Sequence, residues 1–387
     1  MHILYITSWY PLNEKDINGS FFREQAHALS NMGHKVGVIA PQFRSLRLGK
    51  RAIIARYDIE VWQDGDVPTY MKHGVFWFPR VPYLDLHRWT AAGNELLEHY
   101  IKQHGKPDLI HVQSMTMAGP VALNAHEKYN IPYCVMEHSS TYARGLVKDW
   151  QTNYLNAVTN NSCHNMAVSH DLAELLTAKF PGSNWTYFPN LLDKMFEQQS
   201  DKPVDNQQFC VVARLHPVKA LDNLLQAFAK VLEKHPTYRL TLAGDGPEKA
   251  NLQQLSQQLN ISHAVTFLGP INRQQVKDLM ASSFCFVLSS QVETFGVVVI
   301  EALSQGTPVI ATKCGGPESI LTPVDGILVE NNDINALANA MVDMIESPQL
   351  YNRAEIRQHC LDRFSERVFI DNMLEIYSTC IKGAQRA

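Results

Sequence analysis

The sequence has 387 residues, more than a single hydrophobic core usually supports, so two domains are expected. Apolar residues make up 45% of the chain and charged residues 19%, a composition typical of a globular protein. The net charge of −4 excludes the uniform positive field of most nucleic-acid-binding proteins, so no nucleic-acid partner is expected. The first residues lack the basic segment of a signal peptide, and no apolar run approaches the roughly 18 residues of a membrane span. These features predict a cytoplasmic protein.

Seven cysteines are scattered along the chain, and none forms a Cys-x-x-Cys pair. Several of them lie in apolar runs, such as Cys285 in Phe-Cys-Phe-Val-Leu. This pattern predicts buried free thiols in a reducing compartment.

Short apolar runs alternate with longer amphipathic stretches along the whole chain. The strand-like runs cover residues 2–6, 35–40, 75–78, 108–112, 132–136, 166–169, 209–213, 239–243, 265–268, 284–288 and 308–311. The helical stretches cover residues 21–32, 86–103, 117–129, 170–180, 221–233, 249–259, 273–281 and 296–304. Strands that alternate with helices predict an α/β fold of doubly wound, Rossmann-like parallel sheets.

The polar stretch 193–208 separates two such halves and is the candidate linker. We therefore expect an N-terminal domain over residues 1–192 and a C-terminal domain over residues 209–364. The last segment, 365–387, is predicted to form a helix that packs back on the first domain. Two domains of this kind bind a ligand in a central cleft, at the carboxyl ends of their strands.

Two glutamates flank a glycine where a predicted strand passes into a helix, at Glu293, Gly296 and Glu301. The first N–H groups of a helix attract an anion, and glycine allows a phosphate to approach the backbone. Glu301 would accept hydrogen bonds from ribose hydroxyls, and Glu293 from hydroxyls of a sugar. The alternative is two solvated carboxylates near a helix end. Gly315-Gly316-Pro317-Glu318, after the next strand, disfavours that alternative because it adds a second flexible turn at the same sheet edge.

Arg214 and Lys219 follow the first strand of the second half, five residues apart. Two cations at a strand's carboxyl end would clamp a pyrophosphate and stabilise it as a leaving group without a metal. A pair of surface cations is the alternative. Gly244 and Gly246 follow the next strand; they predict a tight turn first and a lining of the nucleotide pocket second.

In the first half, Gly19 follows strand one and is a candidate for close approach to phosphate, although by itself it is better explained as a turn glycine. The Gly-x-Gly-x-x-Gly fingerprint is absent, which disfavours a dinucleotide-dependent dehydrogenase. His138 follows the strand at 132–136 and would contact the sugar. His111 occupies a similar position but is more readily explained as structural. Glu137 is the one nearby candidate for a covalent nucleophile.

Asp64-Gly65-Asp66 resembles the Asp-x-Asp signature that metal-dependent sugar transferases use, but the following Val-Pro favours an exposed turn. No His or Cys cluster has zinc spacing, so we expect neither a metal nor a cofactor. Residues 43–57 contain five basic residues and no acidic one, interleaved with leucine and isoleucine. This segment predicts either a solvated basic face or a peripheral contact with the anionic inner face of the cell membrane.

Taken in order, these motifs resemble the nucleotide-sugar glycosyltransferases of family 4. The residues that carry the resemblance are Val211, Ala213-Arg214, Lys219, Ala243–Pro247, Phe267–Gly269, Glu293–Gly296, Glu301-Ala302, Gly306, Pro308–Ala311 and Gly315-Gly316. The first half matches more loosely, at Gly19, Gly33-His34, Val36, His111, Val168-Ser169 and Pro189-Asn190. The stretch Thr7–Pro11 with Gly19–Gln25 is similar to bacterial members that assemble surface polysaccharides. One departure is Asn18-Gly19, where many members have Gly-Gly.

The resemblance implies the GT-B fold and transfer of a sugar with retention, without a bound metal. It implies that Glu301 holds the ribose, that Arg214 and Lys219 neutralise the diphosphate, that Gly19 lies beside the phosphates and that His138 lies near the sugar. Glu293 and the amides of Phe295, Gly296 and Val297 would hold the donor sugar, and Thr294 and Leu268 would belong to the nucleotide-sugar site.

A UDP-sugar is the favoured donor and GDP-mannose the second choice, because backbone contacts read the base. The acceptor would be a hydroxyl of a glycan or of a lipid-linked saccharide. Two other classes of function stay open. One is a nucleotide-sugar epimerase on the same fold. The other is a non-catalytic sugar-binding or scaffold protein, which would need none of the four charged residues Arg214, Lys219, Glu293 and Glu301.

Overall fold

The computed structural model describes residues 1–14, 16, 18–49 and 58–386. The chain divides into two compact units. Unit 1 comprises residues 1–168, 173–191 and 369–387, and unit 2 comprises residues 169–172 and 192–368. Each unit is built on one mainly parallel sheet whose strands alternate with helices along the chain. This confirms the predicted α/β fold class.

Unit 1 contains an eight-stranded sheet in the order β3-β4-β2-β1-β5-β6-β7-β8. Its strands are β1 (His2–Thr7), β2 (Lys35–Ser45), β3 (Ile59–Asp64), β4 (Val67–Phe76), β5 (Leu109–Gln113), β6 (Tyr133–Glu137), β7 (His164–Ala167) and β8 (Trp185–Tyr187). All pairs are parallel except β3 with β4, which form an antiparallel hairpin at one edge. The sequence pattern missed β3 because polar residues interrupt it and its longest apolar run is the pair Val61-Trp62.

Strand β2 runs five residues beyond its predicted end at residue 40 and passes through Pro41. Its pairing with β1 stops at Ile39, and from there only β4 continues beside it. A proline is tolerated at such a position because no strand needs a hydrogen bond from it on the open side.

The helices of unit 1 connect these strands. They are α1 (Ser20–Asn31), α2 (Pro82–His104), α3 (Met115–Tyr129) and α4 (Asp149–Asn160). Helix α5 (His170–Lys179) begins among the residues of unit 2 and continues in unit 1. The last helix, α13 (Glu366–Arg386), belongs to unit 1 from Phe369 onward. Its Tyr377 hydroxyl lies 2.5 Å from His111 Nδ1 and 3.3 Å from the Tyr5 hydroxyl, so the helix is joined to β1 and β5.

Unit 2 contains a six-stranded parallel sheet in the order β11-β10-β9-β12-β13-β14. Its strands are β9 (Asp205–Val212), β10 (Arg239–Ala243), β11 (Val265–Gly269), β12 (Ser283–Leu288), β13 (Val309–Thr312) and β14 (Gly326–Val329). Its helices are α6 (Lys194–Glu197), α7 (Leu221–Lys234), α8 (Lys249–Gln258), α9 (Arg273–Ser282), α10 (Val297–Ser304), α11 (Ile334–Glu346) and α12 (Arg353–Phe364). The strand order reverses between β9 and β12, and such a reversal opens a crevice at the carboxyl ends of the two strands.

The stretch 193–208 contains the short helix α6 and the first four residues of β9. Regular structure inside this polar stretch was not predicted, because its side chains carry no apolar periodicity.

Two of the seven cysteines are not free thiols. Cys163 and Cys380 form a disulfide within unit 1, with their Cα atoms 5.5 Å apart and a sequence separation of 217 residues. The prediction of seven free thiols was therefore wrong. The two cysteines come together because α13 packs beside the start of β7. The residues around each cysteine give no local pattern from which this pairing could be predicted. The other five cysteines are unpaired.

Asp64 was expected in an exposed turn, and this was wrong. Only Gly65 and Asp66 form the hairpin turn, while Asp64 is buried as the last residue of β3. Its carboxylate accepts hydrogen bonds from Arg23 and lies 2.9 Å from His27 Nε2. Within the described ranges, no helix is both long and apolar enough to cross a membrane.

Candidate functional site

Two loops of unit 2 meet where the strand order reverses, one following β9 and the other following β12. Ser289 Oγ donates a hydrogen bond to the Lys219 carbonyl at 2.8 Å, and the Gln291 N–H donates to the Val218 carbonyl at 2.8 Å. These bonds join the loops directly. The crevice expected from the strand order is therefore lined by both groups of residues that the sequence analysis selected.

An ion pair between Lys219 and Glu293 spans the two loops. Lys219 Nζ donates to Glu293 Oε1, and the Ser290 hydroxyl donates to the same oxygen at 2.9 Å. Both charged side chains are mostly buried, with 24% and 15% of their surface exposed. Arg214, from the same loop as Lys219, is exposed. The crevice thus carries one cation that is neutralised by a carboxylate and a second cation that faces solvent.

Two glycines hold the loop of Arg214 in place. A Cβ atom at Gly244 would lie 1.9 Å from the Ala213 carbonyl oxygen, and one at Gly246 would lie 2.2 Å from the Leu215 carbonyl oxygen. The Leu215 N–H donates to the Asp245 carbonyl at 3.0 Å. Only glycine permits this contact, so the turn after β10 fixes the backbone on either side of Arg214.

Leu268 lies one strand further along the sheet, near the end of β11, and its side chain is about half exposed. The Gly244 N–H donates to the Gly269 carbonyl at 2.8 Å, which joins this strand end to the glycine turn. An exposed leucine here offers an apolar surface at the carboxyl edge of the sheet, two strands away from β9.

Helix α10 begins in the crevice at Gly296. This glycine has φ +94°, a left-handed conformation that other residues adopt only with strain. The side chain of Phe295 is buried against Phe364, with ring centroids 6.0 Å apart, whereas Thr294 and Val297 are partly exposed. The buried phenylalanine therefore anchors the loop while the backbone at the helix N-terminus, where N–H groups lack helical partners, borders the crevice.

Glu301, on α10, is 5% exposed and contacts an arginine that the sequence analysis did not select. Arg273 lies at the start of α9, and its Nη2 is 3.3 Å from Glu301 Oε1 and 2.6 Å from Asp193 Oδ2. The guanidinium also stacks on Phe196 at 5.2 Å. Arg273 lies 28 residues from Glu301 on a different helix, so no spacing rule links them.

Gly19 and His138 belong to unit 1, and both contact Phe22. Gly19 has φ +80° and precedes α1; a Cβ atom there would lie 2.9 Å from the Trp9 ring and 3.3 Å from Phe22. The His138 ring lies 5.0 Å from the Phe22 ring and 5.1 Å from the Phe21 ring. The two residues therefore share one neighbourhood at the carboxyl edge of this sheet.

His138 is buried, and its Nε2 lies 2.7 Å from Gln113 Oε1. An amide oxygen can only accept, so Nε2 carries the proton and Nδ1 holds the lone pair. Burial lowers the pKa of His138 well below its ordinary value, so the ring is neutral near pH 7. His111 is also buried, which lowers its pKa to about 3, and its contact with Tyr377 fits a structural role.

Glu137 is fully buried and its two carboxylate oxygens are occupied. Oε1 accepts the N–H groups of His138 and Ser139 at 2.9 and 2.8 Å, and Oε2 accepts the N–H of Met115 at 3.0 Å. The Met115 contact lies at the first residue of α3. This carboxylate caps a helix and is not placed as a nucleophile.

Two family profiles match this chain in succession. Residues 19–194 match the profile described as Glycosyltransferase Family 4, and residues 193–358 match the one described as Glycosyl transferases group 1. The putative teichuronic acid biosynthesis glycosyltransferase TuaC of Bacillus subtilis (strain 168) is 29% identical over 364 residues, 88% of each chain. The D-inositol 3-phosphate glycosyltransferase of Mycolicibacterium smegmatis is 35% identical over 184 residues, 46% of this chain and 41% of that one.

Solved structures share the fold at low sequence identity. Sucrose-phosphate synthase from Thermosynechococcus elongatus has a TM-score of 0.78 and 20% identity, with 99% of this chain and 100% of that chain covered. HepE from Anabaena, solved with UDP, has a TM-score of 0.73 and 19% identity, with 98% and 100% covered. The two family profiles, the relative that matches over 88% of the chain and the fold together show that this chain belongs to the family 4 glycosyltransferases, which have the GT-B fold.

Proposed function

We propose that this glycosyltransferase moves a sugar, with retention of configuration, from a nucleoside diphosphate sugar to a hydroxyl of a glycan or lipid-linked acceptor. The observation that carries the proposal is that the loop with Arg214 and Lys219 is joined to the loop with Glu293 at the strand reversal of unit 2. The second loop leads into the N-terminus of α10, the helix that contains Glu301. A diphosphate sugar needs cations for its phosphates and hydrogen-bond acceptors for its hydroxyls, and this crevice offers both.

Arg214 and Lys219 are assigned to the diphosphate. In the reaction, the bond between the anomeric carbon and the diphosphate oxygen breaks, and the acceptor oxygen bonds to the same face of that carbon. The acceptor's proton passes to the departing diphosphate. The two cations stabilise the negative charge that develops on this group, so the scheme requires no divalent ion. Full activity in excess chelator is the expected result, and a loss that Mg²⁺ or Mn²⁺ restores would remove this part of the proposal.

The carboxylates are assigned to hydroxyl groups. Glu301 is held in one orientation by Arg273 and would accept hydrogen bonds from the ribose. Glu293, with the backbone N–H groups of Phe295, Gly296 and Val297, would hold the donor sugar. When Lys219 turns to the diphosphate, Glu293 is released from its ion pair and becomes available to the sugar. Thr294, Gly244, Gly246 and Leu268 would complete the pocket around the nucleotide.

Residues 1–192 are assigned to the acceptor. In this proposal, two residues at the carboxyl edge of the unit 1 sheet also reach the donor: Gly19 would lie beside the phosphates and His138 near the sugar. The His138 ring is neutral and keeps a lone pair on its buried Nδ1, so it would accept a hydrogen bond from a hydroxyl and would not act as a cation.

A UDP-sugar is the favoured donor and a GDP-sugar the second choice. HepE was solved with UDP and with UDP-glucose, whereas the starch synthase IV domain of Arabidopsis thaliana was solved with ADP, so the fold accepts more than one base. The name of the TuaC relative supports a product in cell-surface polysaccharide synthesis.

The experiment that tests the reaction is incubation of the purified chain with UDP-glucose, UDP-N-acetylglucosamine and GDP-mannose, with and without a surface-glycan acceptor. Release of the nucleoside diphosphate together with a product of unchanged anomeric configuration, read by NMR, is the expected result. An epimerised donor in the absence of acceptor would identify an isomerase. Binding without turnover on every acceptor would favour a non-catalytic sugar-binding protein.

A further inference from the structure

Unit 1 exposes a group of large apolar side chains at one end of its sheet. It consists of Leu46, Leu48, Trp77, Phe78, Tyr83 and Leu84, here called the aromatic edge patch. Trp77 and Phe78 are each 40% exposed, Leu48 55% and Tyr83 56%. Isolated exposed apolar side chains are ordinary, but a contiguous group marks an interaction surface.

The register of the sheet brings the two halves of the patch together. Ser45 at the end of β2 pairs with Phe76 at the end of β4, and neighbouring strands lie about 4.8 Å apart. Leu46 directly follows β2, and Trp77 directly follows β4. The two segments therefore leave the sheet side by side.

Asp85 fixes the remaining part of the patch. Its carboxylate accepts the N–H groups of Trp77 and Phe78 at 3.0 and 2.9 Å, and the Val81 N–H donates to the Phe78 carbonyl at 2.9 Å. This binds the segment after β4 to the first turn of α2, which contains Tyr83 and Leu84. The aromatic side chains thus project from a backbone held by hydrogen bonds.

The patch is basic as well as apolar. Arg47 and Arg80 are both exposed within it, and residues 43–49 and 76–84 include no acidic residue. Asp85 is buried, and its oxygens are occupied by backbone N–H groups and Arg88. An approaching surface therefore meets arginines and aromatic rings without an exposed carboxylate among them.

We propose that the aromatic edge patch docks this glycosyltransferase on an anionic lipid bilayer. Tryptophan and tyrosine favour the headgroup region because their rings are apolar with one polar end, and arginines beside them attract anionic lipids. Docking of a protein partner would not require a net positive charge at the patch. A neutral glycan would gain no charge attraction from the arginines. Charge complementarity thus assigns the bilayer. Of the segment 43–57, which the sequence suggested for this contact, residues 50–57 lie outside the described residues.

The test is co-sedimentation of the full chain with vesicles of phosphatidylcholine alone or with 30–40% phosphatidylglycerol (roughly the anionic fraction that gives a substantial surface potential). The wild type should bind the anionic vesicles and only weakly the neutral ones. Replacing both Arg47 and Arg80 by alanine should weaken binding to anionic vesicles roughly 25-fold, at about fivefold for each arginine near the surface. The double variant Trp77→Ser/Phe78→Ser should weaken binding at least about tenfold, because both rings leave the interface.

Trp150→Ser is the matched control, since Trp150 is 38% exposed on α4 of the same unit but lies outside the patch. It should bind vesicles as the wild type does. Equal binding of the wild type to both kinds of vesicle, or equal losses in Trp150→Ser and Trp77→Ser/Phe78→Ser, would overturn the proposal. So would a patch variant that keeps vesicle binding but loses binding of a soluble glycan acceptor, since this assigns the patch to glycan recognition.

Nucleotide binding separates this inference from the proposed function and also verifies folding. The patch variants should bind UDP as the wild type does, because the patch is in unit 1 and the diphosphate cations are in unit 2. Absence of UDP binding in the wild type would count against the proposed donor while leaving the vesicle result unaffected.

Discussion

Lys219 and Glu293 neutralise each other across two loops that are 74 residues apart in the sequence, and each has a separate role in the proposed reaction. Replacing Lys219 should therefore change UDP binding and sugar transfer differently from replacing Glu293. In Lys219→Ala the diphosphate loses a charged partner worth about 1.5–3 kcal/mol, so UDP binding should weaken roughly 10- to 100-fold by calorimetry.

Glu293→Gln makes the opposite prediction for the nucleotide alone. It removes the competitor of Lys219 and a negative charge near the diphosphate, so UDP should bind at least as tightly as to the wild type. Sugar transfer should nevertheless fall about 100-fold or more, because the donor sugar loses its carboxylate partner. Weaker UDP binding by this variant would contradict the assignment of Glu293 to the sugar.

Arg273 should act on ribose recognition through Glu301. The wild type is expected to bind UDP at least about tenfold more tightly than 2′,3′-dideoxy-UDP, since the ribose hydroxyls pair with a buried carboxylate. Glu301→Ala should remove this discrimination, Arg273→Ala should reduce it, and Arg273→Lys should restore part of it. An Arg273→Ala variant that binds both ligands more weakly by the same factor would show a merely structural role.

Gly244→Ala tests how the glycine turn places Arg214. The new Cβ would overlap the Ala213 carbonyl, so we expect about 2–5 kcal/mol of lost stability from overpacking and backbone strain, together with weaker UDP binding. Gly33→Ala is the control, because Gly33 also has a positive φ (+83°) but no atom lies within 4 Å of its added Cβ. It should lose only about 1–2 kcal/mol in urea unfolding and keep UDP binding.

The buried histidines should make the protein acid-sensitive. His111 stays neutral in the native state because burial lowers its pKa to about 3, whereas in the unfolded chain it accepts a proton near pH 6.5. The unfolded state then binds more protons, so the free energy of unfolding falls as the pH drops below 6.5. From pH 7 to pH 5 this amounts to about 2 kcal/mol for His111. Urea unfolding of His111→Gln should show a pH dependence shallower by about that amount, and an unchanged dependence would disprove this account.

The disulfide between Cys163 and Cys380 should stabilise unit 1. It closes a long loop, so Cys380→Ser should lower the free energy of unfolding by about 2–4 kcal/mol under oxidising conditions. With reductant present, the wild type and the variant should become similar. Alkylation of the denatured, unreduced wild type should label five cysteines, and labelling of all seven would show that the bond does not form.

The sequence predicted the alternation of strands and helices, and most strands of unit 2 begin or end within a few residues of their predicted bounds. This succeeded because buried parallel strands are continuous apolar runs, and the residues after them, such as Arg214 and Glu293, are polar. Strand β4 was predicted only at its end because Pro68, Lys72 and His73 interrupt its apolar pattern.

What escaped prediction is contact between residues distant in sequence. The pairing of Arg273 with Glu301, the burial of Asp64 and the Cys163–Cys380 bond depend on how elements pack, and no local periodicity encodes that. Tertiary partners such as these also decide which charged residues of the site are neutralised before a ligand arrives.

Calorimetric titration of the wild type and of Glu301→Ala with UDP and GDP tests the central claim, that the crevice between the loops after β9 and β12 holds a nucleoside diphosphate. The account predicts saturable binding of one of the two by the wild type and a loss of at least about tenfold in Glu301→Ala. Absence of binding to either nucleotide, or equal affinity in both proteins, would contradict it.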